Sequence, residues 1–150
     1  MALFDFLRKI KFIVRIYHFC WALLGALIYC FPSRGVFVIG VTGTKGKTTM
    51  LEILNNILTA SGEKVAVLSS LYFRIGDSQE KNLTNNTMPG RLFIQKFLKR
   101  AVRTKCRYVL VEVTSEGVVL SRHRFVNWRM AVLTNLAPEH IESHGSFEKY

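Results

Sequence analysis

Gly40-Val41-Thr42-Gly43-Thr44-Lys45-Gly46-Lys47-Thr48-Thr49 is the stretch on which the reading of this chain turns. An apolar, β-branched run at 36–42 leads into it, and residues 47–60 follow with Leu51, Ile53, Leu54, Ile57 and Leu58 at helical spacing. Ser61-Gly62 closes that helix. A strand that ends in closely spaced glycines and then opens a helix presents several backbone N–H groups at the positive end of the helix dipole. Glycines let those groups turn inward onto the oxygens of a phosphate. Lys47 stands where it reaches the terminal phosphates, and the Thr48 hydroxyl where it ligates a divalent cation. The strict pattern GxxxxGK(S/T) places its first glycine at 41, where this chain has Val41. A Gly/Thr-rich turn before an ordinary helix is the bland alternative. Agreement of strand, turn, Lys-Thr-Thr and helix speaks against it.

Outward from the loop the chain alternates strand and helix. Residues 64–69 read as a second strand, and 71–88, polar with Gly76-Asp77 and Asn85-Asn86 turns, as a hairpin or long loop. A basic amphipathic helix follows at 91–104, a third buried strand at 107–113 and a fourth at 130–134. Helical pattern resumes near Ser146, an N-cap with Glu148 in the first turn. Continuous apolar strands separated by helices predict an α/β fold of the P-loop NTPase-like kind, its mostly parallel sheet covered by helices. An apolar N-terminal helix precedes it. The expected division is 1–34 for that helix and 35–150 for the nucleotide-binding domain.

Composition bounds the partners. A chain of 150 residues has room for one domain, and 49% hydrophobic against 21% charged residues excludes intrinsic disorder. The net charge of +11 points to an anionic partner: nucleic acid, anionic lipid or a phosphorylated small molecule. Cys20, Cys30 and Cys106 form no CxxC pair, which favours a reduced cytoplasmic location.

The N-terminus carries Arg8, Lys9, Lys11 and Arg15, followed by a charge-free run at 16–31 that Pro32-Ser33-Arg34-Gly35 breaks. With the cations first, a bilayer span would hold the N-terminus inside and place everything after Pro32 outside, away from ATP. That conflicts with the loop. Two readings remain: an interfacial or re-entrant membrane helix, or a helix buried on the protein itself. The first corresponds to attachment to the inner face of the membrane through residues 10–31.

Glu112 ends the third strand, at the edge where an open parallel sheet binds its ligands. Thr134-Asn135-Leu136-Ala137-Pro138-Glu139-His140 follows the fourth strand and brings an imidazole to the same edge. A carboxylate and a His beside phosphates are metal-ligand candidates.

These motifs resemble the Mur ligases, specifically their central ATP-binding domain. The loop form Thr-Gly-Thr-x-Gly-Lys-Thr-Thr, the Glu-Val-Thr-Ser-x-Gly segment at 112–117 and Thr-Asn-Leu-x-x-Glu-His-Ile-x-x-His-Gly-Ser-x-Glu-x-Tyr at 134–150 occur in the family's order. Within that family the substituted first glycine is the expected form. The resemblance implies an ATP- and Mg²⁺-dependent amide-bond ligase of peptidoglycan precursor synthesis, in which ATP phosphorylates a carboxylate and an amino acid's amine displaces the phosphate. It implies that Gly43, Thr44, Lys45, Gly46, Lys47, Thr48, Thr49 and Asn135 bind ATP. Thr48, Glu112 and His140 would serve metal ions, with Lys47, Glu112 and His140 catalytic. The nearest subgroup is the tripeptide synthetases acting on UDP-N-acetylmuramoyl dipeptide. Their Thr-Thr-Pro segment reads Thr87-Met88-Pro89 here, so Thr87 carries over and Met88 does not. Thr114 and Arg122 are the other implied substrate contacts, while a nearby Gln of the subgroup is Leu120.

The family also carries an N-terminal UDP-sugar domain, a C-terminal amino-acid domain and a modified lysine just past the position of Tyr150. The expectation is therefore a fragment that keeps the ATP/Mg²⁺ site and does not complete ligation alone. A non-catalytic, membrane-associated nucleotide-binding module of the same fold is the alternative. The cationic run Arg91, Lys96, Lys99, Arg100, Arg103, Lys105, Arg107 admits a nucleic-acid patch, but a solvated helix face explains it better, since no RNA-binding signature accompanies it.

Overall fold

The computed structural model describes residues 2–84 and 86–137, with side chains from residue 12 onward. The chain runs α1 (Ala2–Ile28), a 3-10 turn (Pro32–Gly35), β1 (Phe37–Thr42), α2 (Lys47–Ala60), β2 (Val65–Leu68), β3 (Tyr72–Ile75), β4 (Ser78–Lys81), α3 (Arg91–Arg103), β5 (Tyr108–Glu112), α4 (Ser115–Val119) and β6 (Trp128–Leu133). The strands form one sheet in the order β4-β3-β2-β5-β1-β6. β2, β5, β1 and β6 are parallel, and the β3–β4 hairpin adds an antiparallel edge. This is the mostly parallel α/β sheet that the apolar runs predict.

Alternate residues of a strand point to opposite faces, which is why strands covered on both sides are apolar throughout. Val38, Leu68, Val109 and Val111 meet Ile94, Phe97 and Leu98 of α3 on one face. Ile39, Val41, Val67 and Leu110 meet Leu51 of α2 on the other. α3 turns Lys96, Arg100 and Arg103 to solvent, so its cations form a solvated face over a buried apolar one. Arg100 there pairs with Glu80 at 3.3 Å.

β6 begins two residues ahead of the expected start. Trp128 pairs with Val38 in the ladder and lays its indole over Gly40, where a Cβ would stand 3.0 Å from the ring. A side chain at position 40 would require the ring to give by a few tenths of an ångström.

α1 forms a layer outside α3. Ala22 and Ala26 are buried, and a Cβ on Gly25 would touch Leu92 at 3.4 Å, so small residues set the close approach. The helix ends where Cys30 and Phe31 take left-handed conformations, at φ of 57° and 48°, ahead of Pro32. Of the two readings of this segment, docking on the protein holds for its C-terminal half, while residues 12–17 remain exposed. Among the described residues no helix is long and apolar enough to cross a membrane. The helix expected near Ser146, and Asn85 of the Asn85-Asn86 turn, lie outside the described residues.

Candidate active site

β1 sits where the sheet changes direction: β2 and β5 lie on one side of it and β6 on the other. Such a switch point leaves a crevice beyond the carboxyl ends of the strands, and the glycine loop fills that position. Gly43 (φ 136°) and Gly46 (φ 79°) take conformations that L side chains rarely adopt. A Cβ on Gly43 would run into the Thr134 hydroxyl and lie 2.9 Å from the Asn135 carbonyl oxygen. Around Gly46 the space is open: nothing lies within 4 Å of a Cβ there. One glycine is needed for packing, and the other keeps the mouth of the loop clear at the start of α2.

The segment after β6 braces this loop. The Thr44 amide donates to the Asn135 carbonyl (3.2 Å), and the Lys45 amide to Asn135 Oδ1 (2.9 Å). Asn135 Nδ2 returns a bond to the Lys45 carbonyl at 3.1 Å, and Thr134 Oγ1 donates to the same carbonyl at 2.7 Å. Thr44 Oγ1 exchanges bonds with the backbone of Ala137 at 2.9 and 3.2 Å. Lys47 reaches back over the loop, donating from Nζ to the carbonyls of Gly43 (2.7 Å) and Thr44 (3.0 Å). An ammonium has three donors, and these two bonds hold its charge over the glycine turn.

Glu112 lies beside Val41 in the β5–β1 ladder, which brings its carboxylate to the base of the loop. It is buried, and its Oε2 accepts from Thr48 Oγ1 at 3.2 Å and from the Ser70 amide at 3.0 Å. Ser70 Oγ lies 3.3 Å from Thr48 Oγ1. The three meet because Thr48 opens α2, Glu112 ends β5 and Ser70 follows β2. The Ser70 turn is itself pinned. Buried Ser69 accepts from the amides of Leu71 (3.3 Å) and Tyr72 (3.1 Å) and donates to the Tyr72 carbonyl. The Tyr72 hydroxyl donates to Glu52 of α2, and burial first, then that bond, pushes its pKa above the ordinary range. Thr49 stands exposed on the first turn of α2.

Hydroxyl and carboxylate oxygens are hard donors. Mg²⁺ characteristically takes one or two protein carboxylates and completes its shell with phosphate oxygens and water. Thr48 and Glu112 match that requirement. Among the described residues no group of three or more His, Cys, Asp or Glu forms a metal cage. His140 lies outside the described residues. Ser70 and Thr134 belong to the site although the sequence reading left them out of it. Both sit just past the carboxyl end of a parallel strand, and applying the strand-end rule to every strand, not only β5, identifies them.

The expected substrate residues gather in a second cluster past β5. Thr114 N-caps α4 by accepting from the Gly117 amide at 3.1 Å. Arg122 donates to the Met88 carbonyl and, at 3.5 Å, to Asn86 Oδ1, clamping the turn that carries Thr87. Met88 is fully buried, and a Cβ on Gly117 would sit 2.5 Å from its Sδ. The departure from the Thr-Thr-Pro pattern therefore places a core side chain where the subgroup has a hydroxyl. α1 reaches this cluster as well. Arg91 donates to His18 Nδ1 and, from Nε, to the Leu120 carbonyl at 2.8 Å. Since arginine only donates, the His18 ring is neutral with its proton on Nε2. Burial, and then Arg91 and Arg122, hold its pKa below the ordinary 6.5.

The sequence of this domain matches the model of the Mur ligase middle domain over residues 41–150. The chain belongs to the Mur ligase family. The chain is 35% identical over 129 residues to the UDP-N-acetylmuramoyl-L-alanyl-D-glutamate--2,6-diaminopimelate ligase of Syntrophomonas wolfei, a match covering 86% of this chain and 26% of that protein. It is 35% identical over 127 residues to the UDP-N-acetylmuramyl-tripeptide synthetase of Treponema pallidum, covering 83% of this chain and 24% of that protein. The chain thus spans about a quarter of the length of the curated relatives it matches. A solved UDP-N-acetylmuramoyl-L-alanyl-D-glutamate--2,6-diaminopimelate ligase superposes with a TM-score of 0.66 at 28% identity, over 77% of this chain and 23% of that one. E. coli FolC in complex with DHPP and ADP shares the fold, with a TM-score of 0.53 at 24% identity over 83% of this chain and 36% of that chain.

Proposed function

We propose that this chain supplies the nucleotide half of an ATP-dependent amide-bond ligase of peptidoglycan precursor synthesis. The observation that carries the reading is the meeting of Thr48 Oγ1 and Glu112 Oε2, 3.2 Å apart, at the base of an open glycine loop. We divide the chain into an N-terminal helical segment, 1–34, and the middle domain, 35–150. In the middle domain the loop amides from Gly43 to Thr49 hold ATP phosphates, with Asn135 fixing the loop's shape. Lys47 neutralises charge that develops on the transferring phosphoryl group. Thr48 and Glu112, with His140, would hold Mg²⁺, which would supply positive charge against the phosphates and lower the repulsion toward an incoming carboxylate. Thr87, Thr114 and Arg122 orient the acceptor, a UDP-sugar peptide or related carboxylate. The activated carboxylate is an acyl phosphate, and an amino acid's amine displaces the phosphate.

The location we propose is the cytoplasm, with attachment to the inner face of the membrane through residues 10–31. Titration calorimetry of Mg-ATP against the chain and its Lys47→Ala variant tests the nucleotide site. Wild type binds and Lys47→Ala loses at least about a hundred-fold in affinity, given charge-assisted bonds to phosphate. Equal affinity in the two overturns the reading.

A further inference from the structure

We infer that α1 is an interfacial anchor that lies flat on an anionic bilayer with its outward stripe among the lipid chains. The inference deepens the inner-face attachment proposed above and rests on it. At 100° per residue, the docked side of α1, through Ala22, Gly25 and Ala26, lies opposite Ile13, Tyr17, Leu24 and Leu27. These four are 63%, 55%, 43% and 55% exposed, and Ile28 beside them 57%. From Ile13 to Ile28 the outward side is thus exposed and largely apolar over about four helical turns.

Charge identifies the occupant. Arg15 falls on the inward side of α1, toward the docked stripe, and Arg8 and Lys11 share its stripe by sequence period. Lys9 falls toward the outward side by the same period. From Phe6 to Leu51 there is no acidic residue. A second copy of this segment would bring the same cations and no acidic residue to pair with them, whereas anionic headgroups complement them. Trp21, 37% exposed, flanks the apolar side and with Tyr17 supplies the amphipathic rings that favour a membrane–water boundary. Apolar on one side, cationic on the other and aromatic between is the pattern of a helix lying in the interface. Its fastening is on the acceptor side of the domain: His18 is bonded to Arg91, and Arg91 to the carbonyl of Leu120, two residues before Arg122.

Flotation of the full chain with vesicles tests this. The probes are phosphatidylcholine alone and phosphatidylcholine with about a quarter phosphatidylglycerol, in about 0.1 M and about 1 M salt. The chain floats with the anionic vesicles, weakly with the neutral ones, and high salt reduces binding. Ile13→Ser/Leu24→Ser/Leu27→Ser lowers anionic binding at least about ten-fold. Ile53→Ser/Ile57→Ser, on exposed positions of α2 across the sheet, leaves it unchanged. If the triple variant binds as wild type does, the stripe is not the contact and the inference falls, while attachment by charge alone stands. If wild type ignores vesicles and sediments as a dimer that the triple variant breaks, the occupant is a second copy and both anchor and attachment fall. Mg-ATP affinity measured on the same samples reports separately on the nucleotide site.

Discussion

The glycine loop and α1 are the two most strongly patterned stretches of this chain, and they end in opposite situations. At the loop, the polar groups of Thr44, Lys45, Lys47 and Thr48 find partners within the loop and on three other segments: the turn after β2, the end of β5 and the segment after β6. On α1, the apolar side chains from Phe12 to Ile28 find partners along one narrow stripe, and the rest face out. The loop's geometry is closed by the domain, so a motif read from the chain and the site in the fold coincide. The helix's geometry is left open by the domain, so its pattern describes an environment more than a contact.

Substitutions that treat the two regions alike should separate them. Gly43→Ala gives the largest effect. The new methyl meets the Thr134 hydroxyl and the Asn135 backbone at a φ of 136°, and urea unfolding should show a loss of about 3 kcal/mol. Gly46→Ala, with open space around it, carries conformational strain alone and should cost about 1 kcal/mol. Equal costs at the two glycines would show that the loop is not braced by the segment after β6. On α1 the expected effect is smaller again. Ile13→Ser should change unfolding free energy by no more than about 0.5 kcal/mol, because its side chain leaves no cavity. A loss of several times that would mean the outward stripe is covered within the protein.

The smallest effect concerns the junction of the two regions. His18 is held below 6.5 by burial, Arg91 and Arg122, and His123 by burial and Arg124. The unfolded chain therefore takes up protons on these rings first as pH falls. Stability from this source is complete above 6.5 and declines below it, through the lowered folded-state values. Thermal melts of wild type and His18→Gln should diverge in slope between neutral and mildly acidic pH, with the variant flatter. Parallel slopes would remove His18 from the coupling between α1 and the cluster around Arg122.

Much of this fold is legible in the residues. The runs at β1, β2 and β5 are apolar at successive positions because both faces are covered, and α3 shows its buried side in Ile94, Phe97, Leu98 and Ala101. Gly43, Lys47, Thr48 and Glu112 are legible too, since each sits at the end of a regular element. Ser70 and Thr134 are less so. A lone hydroxyl after a strand is common, and only the ladder order shows that these two converge on Glu112 and Lys45. The start of β6 is hard to read from the residues for a similar reason: Trp128 belongs to the strand because of what it covers on β1.

By itself the sequence determined the elements, the glycine loop, the family and the presence of an apolar, cationic N-terminal helix. These depend on residue order within a few turns or one strand. Only the tertiary structure decided that β5 lies between β2 and β1, and so that Glu112, Thr48 and Ser70 share one corner. It also decided which side of α1 docks, because Ala22, Gly25 and Ala26 admit α3 closely only when a partner helix is there to approach. The physical reason is range. Periodicity and turn chemistry act between neighbours in the chain, whereas a site and an exposed face are made by residues that only the packed sheet brings together or leaves uncovered.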